Sequence, residues 1–239
     1  MRSQQHSGPS EPLLSTVRSV DTPLGPGRFH LDLAAEPRAA LVLGHGAGGG
    51  VGAFDLELLA RRLPPLGITV VRFEQPWRTA GRKVAVAPSR LDEGWRAALD
   101  QLLRWPGFPP RLVIGGRSAG ARVACRTAPD FDVAAVICLA FPLHLPGQPL
   151  KSRVAELLRP TAPRLVLQGT NDSFGGSAEI RSAIGEAEGI SIVELPGADH
   201  SFRVAKAALF TAAALRASIV AEAAAFILPD ETDPRDGRL

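Results

Sequence analysis

Three polar residues, far apart along the chain, could together carry out chemistry on a carbonyl group. They are Ser118, Asp172 and His200. A serine hydroxyl becomes an effective nucleophile when a histidine accepts its proton, and the histidine works best when a carboxylate orients its ring. The three residue types therefore predict a nucleophile at 118, an orienting acid at 172 and a general base at 200.

The residues around Ser118 are those that a sharp turn from a strand into a helix requires. An apolar run at 111–115 reads as a buried strand, and the alanine-rich run at 119–128 reads as a helix. Gly116 and Gly120 lack the Cβ that so tight a turn would exclude. The G-x-S-x-G pattern thus predicts a nucleophile elbow, in which a strained serine exposes its hydroxyl above the sheet.

Asp172 and His200 each follow a predicted strand, so both fall on loops at the carboxyl edge of the sheet, where open α/β sheets build their sites. Asp199 is the alternative acid, although its place beside His200 in sequence leaves it less able to reach the ring from behind. The chain order of Ser118, acid and histidine differs from the orders of the chymotrypsin and subtilisin folds.

A glycine-rich turn, Leu-Gly-His-Gly-Ala-Gly-Gly-Gly at 43–50, follows another predicted strand. Attack on a carbonyl creates an oxyanion, which needs preorganised N–H donors. We expect one donor from Ala119, directly after the nucleophile, and one from Ala47, with Gly48 as the fallback. The turn lacks the Lys-Ser/Thr ending of a phosphate-binding loop.

Five further residues are candidates to line a substrate site. His45 lies in the glycine-rich turn, where the simplest interpretation is that it holds the turn through backbone hydrogen bonds. Arg117 could bind an anionic group, or could equally be a surface or helix-pinning arginine. His144 follows a predicted strand and could line the site or be solvated. Glu74 and Trp77 follow another strand at the same edge.

Short apolar runs alternate with longer amphipathic ones, which predicts an α/β fold with a mostly parallel sheet and helices on both faces. The predicted strands are 28–33, 40–43, 68–73, 111–115, 133–139, 164–168 and 190–195. The predicted helices are 54–63, 89–105 with Ser89 as N-cap, 119–128, 178–188 and 205–227. Residues 140–163 hold one short helical stretch, 152–158, which is too little for a cap domain.

The length of 239 residues and the 45% apolar content fit one domain, expected at 17–228. The tails at 1–16 and 229–239 are polar or charged and contain proline, so we expect them to be disordered. Cys125 and Cys138 fall in a predicted helix and strand, where buried reduced thiols are expected. No Cys or His cluster has the spacing of metal ligands, so no metal is predicted.

The net charge of +3 is spread along the chain without a basic cluster, which argues against nucleic-acid binding. No apolar stretch approaches the length of a membrane helix, and the first residues lack the apolar core of a secretory signal. We therefore expect a cytoplasmic protein that does not bind membranes. The oligomeric state is not predicted.

Four motifs in order resemble those of the α/β-hydrolase superfamily: Leu-Gly-His-Gly-Ala-Gly-Gly, Gly-Gly-Arg-Ser-Ala-Gly, Gln-Gly-x-x-Asp and Gly-x-Asp-His-Ser-Phe. The resemblance covers about 28–228 and is closest to the small lidless branch, similar to dienelactone hydrolase and to hydrolase-like proteins related to a subunit of a human histone acetyltransferase complex. It implies a doubly wound, eight-stranded α/β-hydrolase fold and hydrolysis through an acyl-serine. Dienelactone hydrolase uses a cysteine where this chain has Ser118, which argues against dienelactone chemistry.

The residues and the resemblance together favour a cofactor-independent serine hydrolase that cleaves a small acyl ester or thioester. The superfamily also contains peptidases, so an amidase or peptidase is an alternative. A noncatalytic protein-interaction module on the same scaffold is a second alternative, since fold alone does not settle function. The partner expected of the enzyme is a small-molecule acyl substrate.

Overall fold

The computed structural model describes residues 15–229, which form an eight-stranded sheet and the helices packed on it. The strands are β1 Ser15–Thr22, β2 Gly25–Asp32, β3 Ala39–Gly44, β4 Ile68–Glu74, β5 Arg111–Arg117, β6 Ala135–Leu139, β7 Arg164–Gly169 and β8 Ile190–Leu195. The helices are α1 Phe54–Arg62, α2 Pro76–Thr79, α3 Pro88–Leu102, α4 Ala119–Thr127, α5 Val154–Leu157, α6 Ser177–Ile184 and α7 Ala212–Ile227. Short 3₁₀ turns occur at Pro64–Leu66 and Ala128–Asp130.

The strand order is β1-β2-β4-β3-β5-β6-β7-β8. Strand β2 runs antiparallel to both of its neighbours, and all the other pairs are parallel. In the centre, β3 pairs with β5 so that Gly44 lies opposite Gly116 at their carboxyl ends. This register brings the glycine-rich turn beside the turn that carries Ser118.

Each face of the sheet is covered by helices, which leaves the central strands buried on both sides. On one face α1 and α7 contribute Leu56, Leu59, Leu215 and Ile219 to a core. On the other face α3 and α4 contribute Trp95 among others. The predicted mostly parallel sheet with helices on both faces is confirmed. Continuous apolar strands such as β3, all of whose residues are buried, are what this arrangement requires.

Two predicted helix starts are wrong. Helix α3 begins at Pro88 with Ala87 as its N-cap, so Ser89 is not the cap. A proline suits the first helical position because its missing N–H would have no partner there. Helix α7 begins only at Ala212, where the Thr211 hydroxyl caps it by accepting the Ala214 N–H at 3.1 Å, and residues 205–211 form turns and bends instead.

The domain starts earlier than predicted, because Ser15 and Thr16 belong to β1 rather than to a disordered tail. In this edge strand only Val20 is buried. A strand that buries so little lacks the apolar alternation by which a sequence reveals it. The rest of the two predicted tails, residues 1–14 and 230–239, lies outside the described residues.

Between β6 and β7 the chain forms no cap domain, since residues 140–163 contain only the four-residue helix α5. The carboxyl edge of the sheet is therefore open above Ser118. Within residues 15–229, no helix combines the length and the apolarity that a bilayer crossing demands.

Candidate active site

Ser118 lies on the turn between β5 and α4 with φ 51° and ψ −109°, a conformation that non-glycine residues rarely adopt. Its N–H donates to the Leu139 carbonyl at 2.9 Å, which ties the turn to the end of β6. A Cβ at Gly116 would lie 2.5 Å from the Gly44 oxygen, and a Cβ at Gly120 would collide with the same carbonyl group. The predicted need for both glycines is confirmed.

The structure brings Ser118, His200 and Asp172 together at the carboxyl edge of the sheet. The Nε2 atom of His200 lies 3.0 Å from the Ser118 Oγ. The Nδ1 atom of the same ring lies 2.8 Å from Oδ2 of Asp172 and 2.9 Å from its Oδ1. This geometry lets one imidazole hold a proton toward the carboxylate and accept another from the hydroxyl.

The Asp172 carboxylate is buried and is held by two further donors. The Phe174 N–H donates to Oδ1 at 2.8 Å, and the Gln168 side-chain amide donates to Oδ2 at 2.9 Å. The Phe174 ring also stacks on the His200 imidazole, with centroids 4.1 Å apart and planes at 29°. Sequence reasoning did not identify Gln168 in this role, although a fully buried glutamine in the otherwise apolar strand β7 was a signal.

Asp199, the alternative acid, faces away from this role. Its Oδ1 accepts the N–H groups of Ser201 at 2.7 Å and Arg203 at 2.8 Å. It therefore shapes the loop that carries His200, whereas Asp172 contacts the imidazole itself.

His45 holds the glycine-rich turn in place. Its Nδ1 donates to the Gly46 carbonyl at 2.9 Å, and its Nε2 accepts the Gln75 N–H at 3.2 Å. Burial lowers the pKa of His45, which favours the neutral tautomer that this donor and acceptor pair requires. The turn lies against the elbow, since a Cβ at Gly46 would be 3.6 Å from the Ser118 Cβ.

The two amides expected to face an oxyanion lie on either side of this contact. Ala119 is the first residue of α4, so its N–H is one that the helix leaves without an intrahelical acceptor. Ala47 follows Gly46 in the turn. Gly48, the fallback, is exposed one residue further out.

Two cavities of very different size adjoin this turn. An open cleft of about 670 Å³ is lined by Ser118 and His200 among others. A small cavity of about 10 Å³ is lined by Ala119 but not by these two residues. Ala47 lines both cavities.

Of the candidate lining residues, His45 and Trp77 line the small cavity and Arg117 lines the cleft. Glu74 lines neither of them, so this prediction is wrong. Its Oε2 lies 3.3 Å from His30 Nε2 and 3.7 Å from Arg28 Nη1, because the end of β4 pairs with antiparallel β2.

His144 also lines neither cavity, and it is not a solvated loop residue. It is buried, its Nδ1 donates to the Leu145 carbonyl at 2.9 Å, and its Nε2 lies 3.0 Å from Glu179 Oε2 in α6. The hydrogen bond to Leu145 and the neighbouring Glu179 raise the pKa of His144. It links the segment after β6 to α6.

Arg117 forms an ion pair that sequence reasoning missed. Its Nη1 lies 2.9 Å from Oδ2 of Asp55, which is fully buried in the first turn of α1. Nearby, the buried thiols of Cys125 and Cys138 lie 3.4 Å apart without a disulfide, as expected. Among residues 15–229, no three His, Cys, Asp or Glu side chains cluster as a metal site would.

The single reversed strand β2 and the strained serine after β5 define a protein of the α/β-hydrolase class. More specifically, the chain belongs to the alpha/beta hydrolase domain family, whose sequence model matches residues 37–228.

Solved structures with the same fold include several hydrolases. XC6422 from Xanthomonas campestris, described as an a/b serine hydrolase without lid, is 23% identical, with a TM-score of 0.69 over 93% of this chain and 99% of that one. Est1E from Butyrivibrio proteoclasticus is 14% identical, with a TM-score of 0.70 over 88% and 98%. Dienelactone hydrolase from Anabaena variabilis is 18% identical, with a TM-score of 0.69 over 90% and 96%. These similarities establish the shared fold.

Proposed function

We propose that this protein is a serine hydrolase that cleaves a small acyl ester or thioester through an acyl-serine intermediate. The observation that carries the proposal is the chain of contacts from the Ser118 Oγ through the His200 imidazole to the Asp172 carboxylate, at 3.0 Å and 2.8 Å. A proton can pass along the first contact while the second keeps the ring in the required tautomer.

In the first half-reaction the Ser118 Oγ attacks the substrate carbonyl carbon and His200 Nε2 takes the hydroxyl proton. The carbonyl oxygen becomes an oxyanion, which the N–H groups of Ala47 and Ala119 stabilise. The intermediate collapses as the bond to the leaving alcohol or thiol breaks, and His200 returns its proton to that group. Ser118 is left as an ester of the acyl group.

In the second half-reaction a water molecule attacks the acyl-serine, and His200 accepts a proton from that water. The Ala47 and Ala119 amides hold the second oxyanion in the same way. Collapse releases the carboxylic acid and returns the proton to the Ser118 oxygen. Asp172 stays ionised throughout and stabilises the imidazolium that forms in each half.

The test is the variant Ser118→Ala. It should lower turnover of p-nitrophenyl acetate by about 10⁴-fold or more and abolish labelling by a fluorophosphonate. Ser182→Ala, an exposed serine in α6, is the matched control and should leave both readouts unchanged. Equal turnover in the two variants would refute the proposal. A folded native protein that neither labels nor turns over esters would instead favour the noncatalytic interaction module.

A further inference from the structure

The two cavities divide the surroundings of Ser118 in a way that bears on the substrate, and the argument rests on the proposed function. The cleft contains Ser118 and His200 in its lining, and the small cavity contains Ala119 and Gly120. Since Ala47 lines both, the two cavities meet at one of the two proposed oxyanion donors. A carbonyl held there would direct one substituent toward each cavity.

The position of His200 decides which substituent goes where. The leaving oxygen or sulfur receives its proton from His200 Nε2, so it must lie on the His200 side. His200 lines the cleft together with the following residues Ser201 and Phe202. The leaving group therefore occupies the cleft, and the acyl substituent points past Ala119 toward the small cavity.

The small cavity fixes the size of the acyl substituent. Its volume of about 10 Å³ is room for one water-sized group, such as a methyl. Its walls are rigid: Trp77, Leu91, Trp95 and Val123 are all buried and pack in the same core. An acetyl group fits this space, and each further methylene would have to displace a wall residue.

The cleft has room for a much larger group, and its charge is positive. Arg203 and Arg216 line it, both are exposed, and neither forms an ion pair with a carboxylate within residues 15–229. The carboxylate in the described lining is that of Asp55, which is already paired with Arg117. Arg216 lies over the Phe54 ring, 5.4 Å from its centroid, which positions its guanidinium at the cleft.

We propose that the substrate is an acetyl ester or thioester of a larger, anionic alcohol or thiol. The acetyl methyl occupies the small cavity beside Ala119, and Arg203 and Arg216 attract the negative charge of the leaving group. The products are acetate and the free anionic alcohol or thiol.

The acyl half of the proposal is tested with p-nitrophenyl acetate and p-nitrophenyl butyrate. Wild-type kcat/KM should favour acetate by at least about 10-fold, because a closed pocket rejects extra methylenes at that level. Leu91→Ala removes a wall and should reduce this preference several-fold, whereas Leu103→Ala, at the exposed end of α3, should not change it. A wild-type enzyme that hydrolyses butyrate as well as acetate would overturn the assignment.

The charge half is tested with 4-acetoxybenzoate and its neutral methyl ester, each rate being divided by the rate of hydrolysis by hydroxide. Wild-type kcat/KM should favour the anion by about 5-fold, the effect of one exposed ion pair. Arg203→Gln combined with Arg216→Gln should remove the preference, while Arg181→Gln in α6, also exposed, should retain it. Equal rates in the wild type, or a preference that survives the double variant, would contradict the proposal.

These outcomes separate the two proposals. An enzyme that labels with fluorophosphonate and hydrolyses acetate esters, but with other selectivities, loses only the substrate assignment. A folded protein that does neither loses the hydrolase proposal, and the substrate assignment with it.

Discussion

Arg117 Nη1 lies 2.9 Å from Asp55 Oδ2, and this contact joins the turn that carries Ser118 to the first turn of α1. The two side chains are only 11% and 1% exposed. Arg117 also donates to the His200 carbonyl and lies 5.3 Å from the centroid of the Phe202 ring. One guanidinium thus connects the elbow, α1 and the loop of the proposed base.

Asp55→Asn should lower the free energy of unfolding by about 3 kcal/mol, because it leaves the buried Arg117 charge without its counterion. Urea denaturation measures the loss. The control is Glu57→Gln on the same helix, which removes an exposed pair with Arg61 and should cost less than about 0.5 kcal/mol. Equal losses in the two variants would mean that burial of the Arg117 pair has no special effect.

Asp172→Asn should lower kcat for p-nitrophenyl acetate by about 10⁴-fold, because the amide stabilises the wrong tautomer of His200. Asp199→Asn retains an oxygen that can accept the Ser201 and Arg203 N–H groups, so its kcat should stay within a few-fold of the wild type. Steady-state kinetics on both folded variants compares the two carboxylates directly. A larger loss at Asp199 would reverse their proposed roles.

Gly120→Ala should destabilise the fold by about 3 kcal/mol, because its Cβ would collide with the Gly44 carbonyl group. Thermal unfolding measures the change. Gly49→Ala adds the same methyl where no atom lies within 4 Å and should alter stability by less than about 0.5 kcal/mol. The elbow would be looser than described if both variants unfolded like the wild type.

His144→Asn should flatten the pH dependence of stability. The Leu145 carbonyl and Glu179 raise the pKa of His144, so the folded protein favours the protonated ring. This contribution is fully present below the unfolded value of about 6.5 and is lost as pH rises through the raised folded pKa. Urea denaturation at pH 5.5 and pH 8 should show a smaller difference for the variant than for the wild type.

Glu179→Gln provides an independent check of the same contact. It should reduce the pH dependence in the same direction, while its amide oxygen can still accept the Gly176 N–H that Glu179 Oε1 accepts at 3.0 Å. A variant whose stability follows the wild type across this range would remove Glu179 from the explanation.

The pattern of the chain was sufficient to predict the parallel sheet, the elbow and the positions of Asp172 and His200. These features depend on local properties. Apolar runs of strand length are buried wherever they fold, and the glycines at 116 and 120 are needed because of the turn itself. The carboxyl ends of parallel strands meet at one edge, so residues that follow those strands converge there.

Other features depended on which segments become neighbours in space. Nothing near Arg117 in sequence identifies Asp55 as its partner, and nothing near Glu74 or His144 reveals that His30 and Glu179 draw them away from the site. Strand β1 was missed because its pairing with β2 supplies the stability that its own apolar residues do not. Sequence alone determined the residues able to do the chemistry, since their signals are local. Only the tertiary structure decided their partners and the shape and charge of the two cavities, because these arise from side chains that are distant along the chain.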